Sequence, residues 1–146
     1  MEIDITEFLI KSFTAILSGA FMGFERKFKD KPAGLKTYTL VSLGAAVFII
    51  ISLLFESVDS TDMTRIVGQV VVGVGFLGAG VILQDGKNIK VKGLATAATI
   101  WCSAAAGCLA GFGLYLPLLF FTIFVVAINL VFGYLNEKVK SHSDSD

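Results

Sequence analysis

Residues Ile66–Leu83, IVGQVVVGVGFLGAGVIL, run for 18 positions without a charge and hold five glycines. In water such a helix is penalised, because each glycine costs about 1 kcal/mol relative to alanine. In a bilayer the same residues let helix backbones approach closely. The segment therefore reads as a central membrane helix around which the rest of the chain packs.

Four more apolar stretches are long enough to cross a hydrocarbon core about 30 Å thick: Phe8–Phe24, Tyr38–Phe55, Leu94–Phe112 and Leu114–Leu135. The expected fold is an all-α integral membrane protein with five transmembrane helices. Composition agrees, with 55% hydrophobic and 16% charged residues against roughly 25% charged in soluble domains. Residues 1–140 read as one transmembrane domain and 141–146 (SHSDSD) as a disordered polar tail. The acidic start, MEIDITE, lacks the basic region of a removable signal. Lys11 lies near the outer end of the first span, where it is expected to snorkel to the headgroups. Only Gly113 separates the last two spans, which predicts a tight helical hairpin.

A net charge of zero hides a sorting along the chain. Ten of the twelve Lys and Arg residues fall in the first connection (Arg26, Lys27, Lys29, Lys31, Lys36), the third (Lys87, Lys90, Lys92) and the tail (Lys138, Lys140). The positive-inside bias then predicts an outside N-terminus and a cytoplasmic C-terminus.

A shift of 59 residues overlays Leu17–Ala46 on Phe76–Ala105 with eight identities in thirty positions, among them Gly19/Gly78, Lys31/Lys90, Gly34/Gly93 and Thr37/Thr96. Both units run in the same sense, which predicts a parallel repeat of helices one–two and three–four. Helical phase gives the packing faces. On the third helix Gly68, Gly75, Gly78 and Ala79 share one side, with Gly73 and Gly80 on another. On the first, Ser12, Ala15, Gly19 and Gly23 form a stripe that continues to Arg26. On the fourth, Gly93, Ala97, Ala104, Gly107 and Gly111 do the same. The fifth is bulky nearly all round and reads as peripheral, with Asn129 its one strongly polar residue within the span.

Gly73-x-Gly75-x-x-Gly78 matches a dinucleotide fingerprint by spacing, but it lies inside an apolar span with no strand–turn–helix context. Cys102 and Cys108, six residues apart, differ by about 9 Å of helical rise, too far for a disulfide; without a CxxC or histidine pairing they do not read as a metal site. The chain holds no nucleophile–base set and no nucleotide loop, so it is not expected to be an enzyme, to need a cofactor or to bind nucleic acid.

The charged ends of the first and third helices are the candidate site. Glu25 and Arg26 overlay Gln84 and Asp85 in the repeat, placing Glu25, Arg26 and Asp85 together on the cytoplasmic side. Arg26 and Asp85 could pair, and Glu25 with Asp85 could hold Mg²⁺ through waters. Charges at membrane depth are costly and are either paired or functional. Gly34…Thr37 and Gly93…Thr96 open the second and fourth helices.

Gly23-Phe24-Glu25-Arg26, Lys31-Pro32-Ala33-Gly34-Leu35-Lys36-Thr37 and Leu40-Val41-Ser42-Leu43-Gly44-Ala45-Ala46 resemble the MgtC/SapB family. So do Gly73-Val74-Gly75-Phe76-Leu77-Gly78-Ala79-Gly80-Val81-Ile82-Leu83 and Lys92-Gly93-Leu94-Ala95-Thr96-Ala97-Ala98-Thr99-Ile100-Trp101. The resemblance covers roughly residues 17–113. It implies a multi-pass protein of the bacterial inner membrane, linked to growth at low magnesium and to virulence. It also implies a regulator, with the ATP synthase as a partner, rather than a Mg²⁺ transporter. Many members carry a soluble C-terminal domain, and this chain is expected to be a short form. The reading that follows is a non-enzymatic regulator acting by helix contacts with a second copy or another membrane protein. The alternative is a transporter or channel for Mg²⁺ or another ion, with Glu25, Arg26 and Asp85 at its gate.

Overall fold

The computed structural model describes residues 4–28, 33–55, 62–84 and 91–143. Among these lie five helices, α1 (Ile5–Phe28), α2 (Leu35–Leu53), α3 (Met63–Gly80), α4 (Leu94–Gly111) and α5 (Tyr115–Ser143), and two short strands, β1 (Leu83–Gln84) and β2 (Val91–Lys92). Four helices are long and apolar enough to cross a membrane, over Ile5–Phe24, Leu35–Leu53, Leu94–Gly111 and Tyr115–Leu135; α3 is a shorter apolar helix.

The third span is thus displaced from Ile66–Leu83. Its start moves earlier because Asp62 caps it, accepting a hydrogen bond from the Thr64 amide at 2.9 Å. Its end moves earlier because the chain is drawn into a ladder in which Leu83 pairs with Lys92 and Gln84 with Val91. The amides of Val81 and Ile82 close the helix on the carbonyls of Gly78 and Ala79, each at 3.2 Å. Gly93 then takes a left-handed φ of +95° as it caps α4, and a Cβ there would lie 2.1 Å from the Val81 carbonyl oxygen. Only glycine allows that conformation and that approach together.

The central helix is α2, not α3. Its buried side is lined by Tyr38, Ser42, Ala45, Ala46, Ile49, Ile50 and Ser52. On one flank α1 closes antiparallel, where a Cβ on Gly19 or Gly23 would come within 2.7 or 2.8 Å of α2 backbone. On the other flank α4 runs parallel to α2: Ser103 Oγ donates to the Tyr38 carbonyl at 2.7 Å, and Gly107 and Gly111 follow along Ser42 and Ala46. A Cβ on Gly107 would lie 2.1 Å from Ser42 O. The glycines that set helix spacing are therefore those of α1 and α4. On α3, Gly68, Gly73, Gly75 and Gly80 have nothing among the described residues within 4 Å of a Cβ position, whereas Gly78 meets Ala97 at 3.6 Å. The Gly73-x-Gly75-x-x-Gly78 spacing lies wholly within α3.

Two apolar clusters result, one joining α2, α3 and α4 around Tyr38, Ile49, Val74 and Ile100, the other joining α1, α2, α4 and α5 around Ala15, Met22, Ala110 and Leu118. The α4–α5 hairpin turns at Gly113, with φ +73°. Phe21, Phe48, Phe76, Trp101 and Phe124, on five different helices, are all exposed. So much outward apolar area fits a lipid environment, not water. Lys11 is buried, its stem lies near Gly113 of the α4–α5 turn, and its ammonium reaches back to an ion pair with the more exposed Glu7 one turn earlier.

Candidate functional site

Arg26, on the last turns of α1, is 5% exposed. Its Nη2 donates to Thr99 Oγ1 at 2.7 Å and to Asn129 Oδ1 at 2.9 Å, with Ala95 O at 3.4 Å. One Nη2 carries two hydrogens, so the two short contacts take them and the longer one is secondary. Thr99 Oγ1 has a single hydrogen. It goes to the carbonyl one turn back, Ala95 O at 2.8 Å, in preference to Asn129 Oδ1 at 3.3 Å. A guanidinium on α1 is thereby tied to α4 and α5 at once. Hydrogen bonds to a charged donor are roughly twice as strong as neutral ones, and away from water no solvent competes for them.

The helices bring these groups together by phase. On α5, Leu118, Thr122 and Val125 are buried and Asn129 follows on the same stripe. Two turns before Asn129, Thr122 Oγ1 lies 2.7 Å from Ser18 Oγ of α1. The offsets between Ser18 and Thr122 and between Arg26 and Asn129 show that α1 and α5 run parallel. Asn129 Nδ2 has no hydrogen-bond partner among the described residues.

Of the charged trio expected here, the structure places Arg26 alone: the Glu25 side chain and all of Asp85 lie outside the described residues, as does the Arg26–Asp85 pairing. Gly34 is the extended N-cap of α2 and accepts from the Thr37 amide at 3.0 Å. Gly93 holds the same place on α4. Thr96 is 2% exposed, and its carbonyl accepts from Tyr38 OH at 3.5 Å. Thr99, Thr122 and Ser18 were not singled out by sequence. Asn129 was the legible signal, a lone amide in an apolar span, but its partner was not.

The sequence matches the MgtC family over residues 13–138. The chain belongs to the MgtC family. It is 51% identical to Protein MgtC of Brucella abortus over 115 residues, covering 79% of this chain and 47% of that protein. Against Protein MgtC of Salmonella typhimurium it is 46% identical over 132 residues, 90% of this chain and 55% of the relative. An uncharacterised protein of Synechocystis is 46% identical over 124 residues, 85% of this chain and 51% of that one. The chain thus spans about half the length of the curated relatives it matches. No solved structure matches it. Four long apolar helices make this family member a multi-pass membrane protein.

Proposed function

We propose that this chain is a regulatory protein of the bacterial inner membrane, serving adaptation to magnesium limitation through contacts between its helices and a partner helix. The observation that carries this reading is the uncovered small-residue side of α3. Gly68 and Gly75 share a face with nothing among the described residues within 4 Å of a Cβ position, whereas the close approaches of Gly19, Gly23, Gly107 and Gly111 are to α2. Small residues that do not pack internally leave room for another backbone. The partner is a second copy or another membrane protein, with the ATP synthase the candidate implied by family. The magnesium link is what the resemblance to the MgtC/SapB family implies.

The proposed topology has the N-terminus outside and the C-terminus in the cytoplasm. The parallel repeat is supported by matched contacts: Gly19 lies on Tyr38 and Gly78 on Ala97, each pair offset by the same 59 residues, and Gly34 and Gly93 cap α2 and α4. The test uses a bacterium lacking its own MgtC-family gene. The chain should support growth at low magnesium, and Gly75→Leu should abolish that support at unchanged membrane abundance. Growth unaffected by Gly68→Leu and Gly75→Leu together would overturn the reading. So would Mg²⁺ flux through the purified chain in liposomes.

A further inference from the structure

Between α2 and α3 runs a groove of about 1160 Å³, somewhat above the roughly 300–1,000 Å³ usual for ligand sites. Its walls are apolar, with Phe48 and Val41 of α2 facing Ile66, Val70 and Leu77 of α3, and Gly44 and Gly73 opening the space between them. Neither glycine meets anything within 4 Å of a Cβ position. The polar lining is concentrated toward one end, where Asp62 caps α3 and Arg65 and Gln69 stand on its first turns. We propose that this groove is a phospholipid site, with acyl chain along the apolar walls and a headgroup of phosphate and amine at Arg65 and Asp62.

Two features favour this occupant. First, length: Arg65 to Leu77 spans about 18 Å of helical rise, close to the roughly 15 Å depth of one leaflet's hydrocarbon. Second, charge: Arg65 and Asp62 are exposed and adjacent on the lip. The Asp62 carboxylate accepts from Thr64 N at 2.9 Å and Thr64 Oγ1 at 2.6 Å on Oδ1 and is otherwise exposed. Such a carboxylate suits a lipid ammonium, and the Arg65 fork suits a phosphate.

The site is distinct from the Gly68–Gly75 face, so the two readings fail separately. The test reconstitutes the chain in phosphatidylcholine vesicles containing phosphatidylethanolamine or phosphatidylglycerol, extracts it in mild detergent and weighs the intact complex by native mass spectrometry. One phosphatidylethanolamine should stay bound per chain. Arg65→Gln should weaken retention about fivefold. Gly73→Phe, and independently Gly44→Phe on the opposite wall, should abolish it, while Gly75→Phe should not. The proposal is overturned if the unmodified chain retains no phospholipid or if both groove-filling variants retain it. It is also overturned if phosphatidylglycerol is held as well as phosphatidylethanolamine, or if the groove variants instead break a dimer without changing lipid retention.

Discussion

Among the described residues Arg26 meets three oxygens from two other helices, one of them the Asn129 side-chain carbonyl. Polar contacts between membrane helices average about 0.6 kcal/mol and reach about 1.7, and the charge on Arg26 places its contact near the upper end. A double-mutant cycle over Arg26→Gln and Asn129→Ala, read from unfolding in mixed micelles, should give a coupling of about 1.5 kcal/mol. The same cycle over Ser18→Ala and Thr122→Ala should give about 0.6. Equal couplings would show that the guanidinium is hydrated and that Asn129 does not secure it. Glycines offer the second contrast at this scale. A Cβ on Gly107 meets the Ser42 carbonyl at 2.1 Å, backbone that cannot swing away, while one on Gly75 meets nothing. Gly107→Ala should therefore destabilise by about 3 kcal/mol or more, and Gly75→Ala should change stability by less than about 0.5.

At the scale of elements, α3 is the helix whose boundaries the apolar run misplaced. Counting uncharged residues locates hydrophobic length, but helix ends are fixed by hydrogen bonding. Asp62-Met63-Thr64 is itself a start signal, and it lies before the run, so the count passed over it. The closing ladder depends on a pairing with Val91-Lys92 that no local pattern in Ile66–Leu83 contains. The fifth helix and the Gly113 hairpin were legible because both rest on local features, bulk all round and a one-residue gap. Arg26 was legible as a charge at the membrane margin, whereas Thr99 and Asn129 became its partners only through tertiary packing. The cap also carries a pH dependence. Hydrogen bonds from Thr64, first of its side chain and then of its amide, hold the Asp62 carboxyl below its ordinary 3.8. A lowered folded-state pKa contributes stability above the unfolded value, and that stability is lost as pH falls through the folded one. Amides in the first turn of α3 should thus be more strongly protected, relative to their intrinsic exchange rates, at neutral pH than below about 3.8. Asp62→Ala should show the weaker protection at neutral pH already and no further acid response. An acid response kept in that variant would assign the effect to another group.

For the whole molecule, helix direction and charge placement bear on the same question, because each connection reverses the chain. Contacts of Tyr38 with Ser103 and of Ser18 with Thr122 set α2 parallel to α4 and α1 parallel to α5, so the starts of α2 and α4 share one end of the bundle with Arg26 on α1. Lys36 and Lys92 stand at those starts. The opposite end carries Asp4 before α1 and Asp62 before α3. Lysines near a membrane surface gain about 1 kcal/mol each from the anionic cytoplasmic leaflet, and Arg or Lys near a span end resists export. With the lysines gathered at one end, the orientation that keeps them in the cytoplasm is favoured by several such terms together. Replacing the free thiols of Cys102 and Cys108 by alanine gives a background for single reporters. In spheroplasts a membrane-impermeant maleimide should label Asp4→Cys and Thr64→Cys. Lys36→Cys and Lys92→Cys should react only after the membrane is opened. The reverse pattern would place the proposed lipid headgroup site at the cytoplasmic surface and Arg26 at the outer one, and labelling of all four in closed spheroplasts would mean that both orientations are inserted.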